Sequence, residues 1–486
     1  MWIDTSINNV TVLAVDIGTS GCRAVISDQD GSVLANAERT YGVTYNDNGV
    51  AEQDPERIFD SFIEVIQQCT SESPVSVDYV AIGSVLHSLL LLDSEGKPLT
   101  PLSIWSDTRA VGQCERFRDS FELNKWPERT GCPLSPTYPV YRLLWYKENE
   151  PALYNKFRKA VSIKSYIHYR LFGRYVEDHS VASGSGMFNI HARVWDREIL
   201  HYLGLEEEKL PDSVPVESQL LDINTSLVEG FPSKIKWIIG GADGPLAHLG
   251  TAGWNKNVAS LTIGTSGAVR IKTDAPRIPS NSSLWCYVLN RDSYITGLAT
   301  NNGGNVVDWY VNAFYPPGTS WDELEVCLAA TVLDPELFFV PFIFNERELG
   351  RTNCNSAKFI GLKQGHTRDD MFRAVVEGVV FNVIHLFDCL RYNYPAVEAV
   401  AVSGSLTNST YVRSIITGAI VLPVIKSGAA NAAISGLARI ILGENQNVCC
   451  KVSGDIKKLN TNRNDQSYGV RNDYFTEKYC NWKKQL

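Results

Sequence analysis

Short apolar runs closed by glycine-rich or polar turns recur along the chain, separated by segments whose apolar residues fall at helical spacing. Val10-Thr-Val-Leu-Ala-Val-Asp16, Cys22-Arg-Ala-Val-Ile26 and Ser32-Val-Leu-Ala-Asn-Ala-Glu-Arg-Thr40 read as consecutive strands, with a turn at Asp28-Gln-Asp-Gly31, so the chain opens as a β-meander. Apolar positions 58, 59, 62, 63, 65 and 66 then mark an amphipathic helix, with Asp54-Pro55 as its cap and first turn. Further strands are expected at 79–83, running on in apolar character to 93, and at 235–239, 258–262, 268–271, 285–289, 294–296 and 399–403. Helices are expected over 140–171, 193–204, 306–314, 367–392 and 431–442, with a loop at 178–188 and a crossover at 250–256. Thr367 and Asp370 suit a capping box, with Asp in place of the preferred Glu.

Two of the turns between strands have the same sequence, Ile-Gly-Thr-Ser-Gly, at 17–21 and 263–267. Two glycines and two small hydroxyl residues let the backbone approach a ligand closely and aim N–H and O–H donors into one concavity, which suits phosphate. An ordinary hairpin turn is the plain alternative for either copy. Neither copy is a P-loop, since G-x-x-x-x-G-K-[ST] is missing and β-branched sequence follows each turn. Neither carries G-x-G-x-x-G, so a dinucleotide fold is not indicated.

With 486 residues, two large domains would put the turns in corresponding places. A net charge of -9 argues against nucleic acid as the main partner. No long apolar run or signal-like start is seen, so no membrane partner and a cytoplasmic location are expected. Eleven Cys without a C-x-x-C pair, Cys449-Cys450 being adjacent, point to reduced thiols, and the eight His lack metal-ligand spacing.

Candidate chemistry collects beside the strands. His87 lies just past a strand end, and Trp105, Asp107 and Arg109 alternate, so they share a face if the stretch is extended. A surface salt bridge between Asp107 and Arg109 explains that pair as well as a site does. Asp243 lies in Gly240-Gly-Ala-Asp-Gly-Pro245, where it can face a cleft as a base or cap the following helix. Asn301-Asn-Gly-Gly304 opens a helix, a place that suits an anion or nucleotide.

Taken in order, Asp16-Ile-Gly-Thr-Ser-Gly-Cys-Arg23, Gly241-Ala-Asp-Gly244 and Thr262-Ile-Gly-Thr-Ser-Gly267 resemble the first phosphate, catalytic-aspartate and second phosphate motifs of the FGGY carbohydrate kinases. The likeness runs from about residue 12 to residue 442. Within that family Leu86-His-Ser-Leu-Leu90, Ser162-Ile-Lys-Ser-Tyr-Ile167, Ala182-Ser-Gly-Ser-Gly-Met-Phe-Asn189 and Trp285-Cys-Tyr-Val288 are similar to the gluconate kinases. Arg23 stands where Lys is common, Ser403-Gly-Ser405 replaces Ser-Gly-Gly, and 426–431 lacks an acidic residue often found there. Ser135-Pro-Thr-Tyr-Pro139 also departs from the His-Pro-Met type of stretch.

The resemblance implies an α/β fold of two ribonuclease-H-like (actin-like ATPase) domains, mixed sheets flanked by helices, with the active site in the interdomain cleft. The domains would be 1–252 and 253–486. It implies ATP and Mg²⁺, with Asp16 on the metal side and Asp243 as general base. Gly18, Thr19, Ser20, Arg23, Gly264, Thr265 and Ser266 would approach the phosphates, and Gly304, Gly404 and Ser405 the nucleoside. His87, Asp107, Arg109 and Asp243 would face a sugar or sugar acid, D-gluconate giving 6-phosphogluconate. A homodimer is compatible with this reading. Xylulose, ribulose or polyol kinases are the alternatives within the family, and an actin-like ATPase chaperone or filament protein the alternative of another class.

Overall fold

In the computed structural model, which describes residues 10–118, 125–224, 227, 235–278, 283–330, 333–344, 346, 356–429, 431–443 and 472–486, the first pentapeptide joins strands β1 (Thr11–Ile17) and β2 (Gly21–Asp28). Strand β3 (Val33–Thr40) returns beside β2, completing the expected meander. Asp54 caps helix α1 (Pro55–Glu72), accepting from Glu56 N–H and Arg57 N–H, with Pro55 in the first turn. Ile58, Phe59, Phe62, Val65 and Ile66 of α1 join the core that lies against the sheet.

The fully buried strand β4 (Tyr79–Ser84) pairs parallel to β1. Helices α2 (Ile163–Phe172) and α3 (His179–Ser183) come after it, then strands β5 (Gln219–Leu220) and β6 (Lys236–Ile238) and helix α4 (Asp243–Ala252). The first six-stranded sheet runs β5-β6-β4-β1-β2-β3.

Strands β7 (Val258–Ile263), β8 (Gly267–Thr273), β9 (Trp285–Val288) and β10 (Tyr294–Thr300) begin the second sheet. Helices α5 (Gly304–Phe314) and α6 (Arg368–Asn393) come next. Strands β11 (Ala399–Ser403) and β12 (Val424–Lys426) complete a sheet of order β9-β10-β8-β7-β11-β12. The second hairpin repeats the first: β1 is antiparallel to β2 and parallel to β4, and β7 is antiparallel to β8 and parallel to β11. Both halves of the Thr367–Asp370 capping box form, Asp serving in place of Glu.

The chain divides into two compact units. The first comprises Met1–Trp254, Thr273–Thr296 and Gly428–Gly454, and the second Asn255–Lys272, Gly297–Ser427 and Asp455–Leu486. The small-residue helix α7 (Ala432–Leu442), capped by Asn431, therefore belongs to the first unit, where it packs on α4. A Cβ on Gly250 would strike the Ala432 carbonyl and one on Gly436 the Leu246 carbonyl, so the two helices cross with backbones touching.

Three stretches differ from the sequence expectation. Residues 140–171 are not one helical run: a strand at Lys159–Val161, paired with Leu90–Leu92, separates α2 from the helices before it. Residues 178–188 contain α3, capped by the Asp178 side chain, in place of a plain loop. Residues 104–109 turn instead of extending, which removes the shared face expected of Trp105, Asp107 and Arg109.

Among the described residues no helix is long and apolar enough to cross a membrane. Among the described residues Cys22, Cys69, Cys114, Cys132, Cys286, Cys327, Cys389 and Cys480 form no disulfide. Cys449, Cys450 and the start of the chain lie outside the described residues.

Candidate active site

Asp16 is the penultimate residue of β1, opposite Arg23 on β2 and Gly83 on β4. Its Oδ1 is buried with no hydrogen-bond partner. Burial, and then the negative charge of Asp243, push its carboxyl up to about 6, while Arg23 and a hydrogen bond from Asn431 oppose the rise. Two carboxylates that repel each other beside an orphaned oxygen make a fitting place for a divalent cation. Mg²⁺ takes one or two protein carboxylates and completes its shell with phosphate and water, so a large protein cage is not required. Among the described residues no cluster of three or more metal-binding side chains occurs.

Asp243 opens α4, and the cap position before it belongs to Ala242, which offers no side-chain cap. Its Oδ1 accepts from Gly244 N–H at 2.8 Å and from Leu86 N–H at 3.3 Å. Backbone donors and a helix N-terminus favour a negative charge at this point. The Leu86 contact ties the aspartate to the residue before His87. His87 has φ 66, an uncommon backbone state for a non-glycine residue. Its Nδ1 is 2.7 Å from the Gly184 carbonyl, its ring meets Tyr138 and Tyr287 edge-on, and Arg142 donates to its own carbonyl.

The first turn closes through Gly18 N–H on the Gly21 carbonyl at 2.9 Å. Three side chains brace it. Tyr41 donates to the Gly18 carbonyl at 2.6 Å, Gln53 to the Thr19 carbonyl at 2.8 Å, and Trp105 Nε1 to Thr19 Oγ1 at 2.9 Å. A hydroxyl that accepts from an indole keeps its own hydrogen to donate, as a phosphate oxygen requires. Ser20 is exposed, and Arg23, half-exposed on β2, is paired with Glu38 at 2.6 Å.

Asp107 and Arg109 do form an ion pair, but a buried one, with Arg109 Nε donating to both Asp107 oxygens at 2.9 and 3.0 Å. Asp107 also accepts from Ala51 N–H at 3.1 Å. Arg109 bonds Glu52 and lies 5.2 Å from the Trp145 ring centroid. These two residues thus make a cluster of their own, joined to the first turn through Trp105.

In the second unit the turn closes one residue sooner, with Gly264 N–H on the Ser266 carbonyl at 3.0 Å. The start of α5 holds it: Gly304 N–H donates to the Gly264 carbonyl at 2.7 Å and Asn305 N–H to the Thr265 carbonyl at 3.2 Å. The first N–H groups of α5 are therefore used by the protein itself. Thr265 is exposed. Gly404 ends β11 with φ 98, and the exposed Ser405 begins a short 3₁₀ turn, Ser405–Asn408.

Asn431, Tyr41 and Gln53 touch the candidate residues and have no role in the sequence reading, while Trp105, singled out there for its alternation with Asp107 and Arg109, bonds Thr19. For Asn431 a signal existed, since Asn before an Ala-rich helix is a cap whose side chain faces the preceding loop. Tyr41 and Gln53 reach the turn from distant positions and leave no local pattern.

Family models divide the chain into two domains. The N-terminal domain of the FGGY family of carbohydrate kinases matches residues 11–250, and its C-terminal domain residues 259–441. A gluconokinase of Bacillus subtilis is 30% identical over 395 residues, covering 77% of this chain and 76% of the relative. A xylulose kinase of the same organism is 24% identical, covering 83% and 82%. Among solved structures, a gluconate kinase from Lactobacillus acidophilus superposes with TM-score 0.87 at 25% identity, covering 98% of each chain. A ligand-bound xylulose kinase from the same organism gives 0.86 at 26% identity, covering 98% of this chain and 97% of that one. The fold is thus the two-domain, actin-like kinase fold, and the chain belongs to the FGGY family of carbohydrate kinases.

Proposed function

We propose that this sugar phosphotransferase acts on D-gluconate, using ATP to make 6-phosphogluconate, with Asp243 as general base. The observation that carries the mechanism is the juxtaposition of Asp243 and Asp16 beside the first turn. Sugar and base residues are assigned to 1–252 and the nucleoside side to 253–486. Preference for the sugar acid rests on the gluconokinase relative, at 30% identity against 24% for the xylulose kinase.

Phosphoryl transfer asks the protein mainly for positioning and charge stabilisation. Asp243 accepts a hydrogen bond from the 6-hydroxyl and takes its proton as the new P–O bond forms and the bond from the γ-phosphorus to ADP breaks, with ADP leaving, for about 10²- to 10⁴-fold in rate. The N–H groups of Leu86 and Gly244 hold its carboxylate for that task. Thr19, Ser20, Thr265 and Ser266, with the backbones of Gly18 and Gly264, donate to phosphate oxygens. Arg23 adds positive charge nearby, and Gly304, Gly404 and Ser405 border the nucleoside. His87 contacts the sugar, with Asp107 and Arg109 beside it. Asp16 would hold Mg²⁺, which when bound would supply neutralisation of phosphate charge.

A second reading, a ketopentose kinase, draws support from the xylulose kinase structure at TM-score 0.86. Gluconate, xylulose, ribulose and glycerol, each offered with ATP, separate the two. Turnover on gluconate is expected. Turnover on a ketopentose with none on gluconate would overturn the assignment.

A further inference from the structure

Two fully buried charges lie under the Asp243 turn and have no part in the phosphoryl-transfer chemistry itself. Lys164 of α2 donates Nζ to Asp178 Oδ2 at 2.6 Å and to the Gly241 carbonyl at 3.3 Å. That carbonyl, two residues before Asp243, also accepts from Ser84 N–H at 3.2 Å. Asp178 turns its other oxygen to Val181 N–H at 2.9 Å, capping α3. The residue after α3, Gly184, presents the carbonyl that anchors His87 Nδ1.

One ion pair therefore reaches both groups assigned to the hydroxyl-activating side of the site. Taking two charges out of water costs several kcal/mol per ion, and an apolar pair of similar volume is commonly as stable. Stability alone is thus a poor account of this pair. Burial pulls the Lys164 ammonium down, and Asp178 opposes the change. The adjacent Glu177 is pushed up to about 8 by burial and then by the charge of Asp178, while a Ser162 hydrogen bond and the Lys164 charge oppose the rise.

We infer that Lys164 and Asp178 are positioning residues, Lys164 fixing the Asp243 turn through the Gly241 carbonyl and Asp178 fixing His87 through α3. The inference rests on Asp243 being the base. Its consequence is a division of kinetic effects. Asp178→Asn keeps an equally good helix cap but removes the charge. It should lower kcat about 10-fold or more, as a small displacement of a base does, and leave the sugar KM within about twofold. Asp178→Ala loses the cap as well and should also raise the sugar KM about fivefold or more.

The charge-free pair Lys164→Met with Asp178→Asn, which keeps the α3 cap, should stay folded with a Tm near wild type and still lose kcat. Wild-type kcat in Asp178→Asn and in the paired variant, at unchanged Tm and with Asp243→Asn inactive, would overturn the inference and leave the base assignment standing. Insolubility of both variants would make the pair a determinant of folding, which overturns it too. Near-normal turnover by Asp243→Asn would instead remove the base assignment, a failure seen without any change at Lys164 or Asp178.

Discussion

Residues 17–21 and 263–267 are identical in sequence, yet Ile17 pairs with Cys22 across its hairpin whereas Ile263 pairs with Gly267. The first loop therefore holds Gly18, Thr19, Ser20 and Gly21, and the second only Gly264, Thr265 and Ser266. Side chains alternate along a strand, so a register shift of one residue turns every later side chain to the other face. Asp16 faces Arg23 across the first hairpin, while Thr262 faces Ala268 across the second. The supports differ as well. Side chains of Tyr41, Gln53 and Trp105 brace the first turn, and backbone N–H groups of α5 brace the second. Local sequence decides that a turn forms here; the neighbours decide its length. The comparison also locates the chemistry, since the residue before the pentapeptide is a carboxylate in one copy and Thr262, bonded to Ser403, in the other.

The sharpest way to break this asymmetry is Asp243→Asn. Sugar-dependent ADP release should fall about 10²- to 10⁴-fold with nucleotide binding retained. Near-normal turnover would show that the first unit does not hold the base. Equivalent substitutions ahead of the two turns come next. Asp16→Asn should cost about 10²-fold and weaken the response to added Mg²⁺, because several kcal/mol of charge stabilisation depends on a metal in such reactions. Thr262→Val, which loses one hydroxyl network, should cost only about 0.5–1.5 kcal/mol of stability. Equal losses of activity from the two would erase the distinction.

Gly304→Ala probes the backbone support of the second turn. Its Cβ would lie 2.8 Å from the Gly264 carbonyl oxygen, so α5 must shift off the turn. Calorimetry should register about 1–3 kcal/mol of destabilisation, together with a higher KM for ATP and an unchanged KM for sugar. A further effect concerns pH. Glu177 has a folded pKa raised from 4.5 to about 8, so the native state keeps a proton that the unfolded chain has lost. Wild type should lose stability relative to Glu177→Gln as pH rises above about 4.5, by up to about 1.4 kcal/mol per pH unit, levelling off beyond about 8. Denaturant melts at pH 5, 6.5 and 8 would record no change in the difference from Glu177→Gln if Glu177 were ionised throughout.

Much of the fold was legible because its signals are local. Alternation gave the meander, Asp54-Pro55 the start of α1, and Thr367 with Asp370 the cap of α6. The failures have tertiary causes. Asp107 and Arg109 were expected on an extended face, but bonding between residues two apart goes with a turn that buries both against Glu52 and Ala51. Residues 178–188 look like a loop because Ser and Gly dominate, and only the cap by Asp178 makes α3 a helix. Asp16, His87 and Asp243 could be nominated from strand ends and glycine turns. That Leu86 N–H would join the last two, across 157 positions of sequence, comes from sheet order and from no local pattern.

The crossing of α4 and α7 has a consequence for how the molecule is made. A nascent chain that has just released residues up to Ala252 carries β1, β4 and α4, but not the helix whose Gly436 seats against Leu246. Asn431, which bonds Asp16, arrives with that same late segment. The first unit must therefore wait, with one helix face uncovered, until the ribosome has delivered Ala432–Leu442. A fragment ending near residue 252 should expose that face to a hydrophobic dye and aggregate, and a synthetic peptide spanning α7 should rescue its solubility.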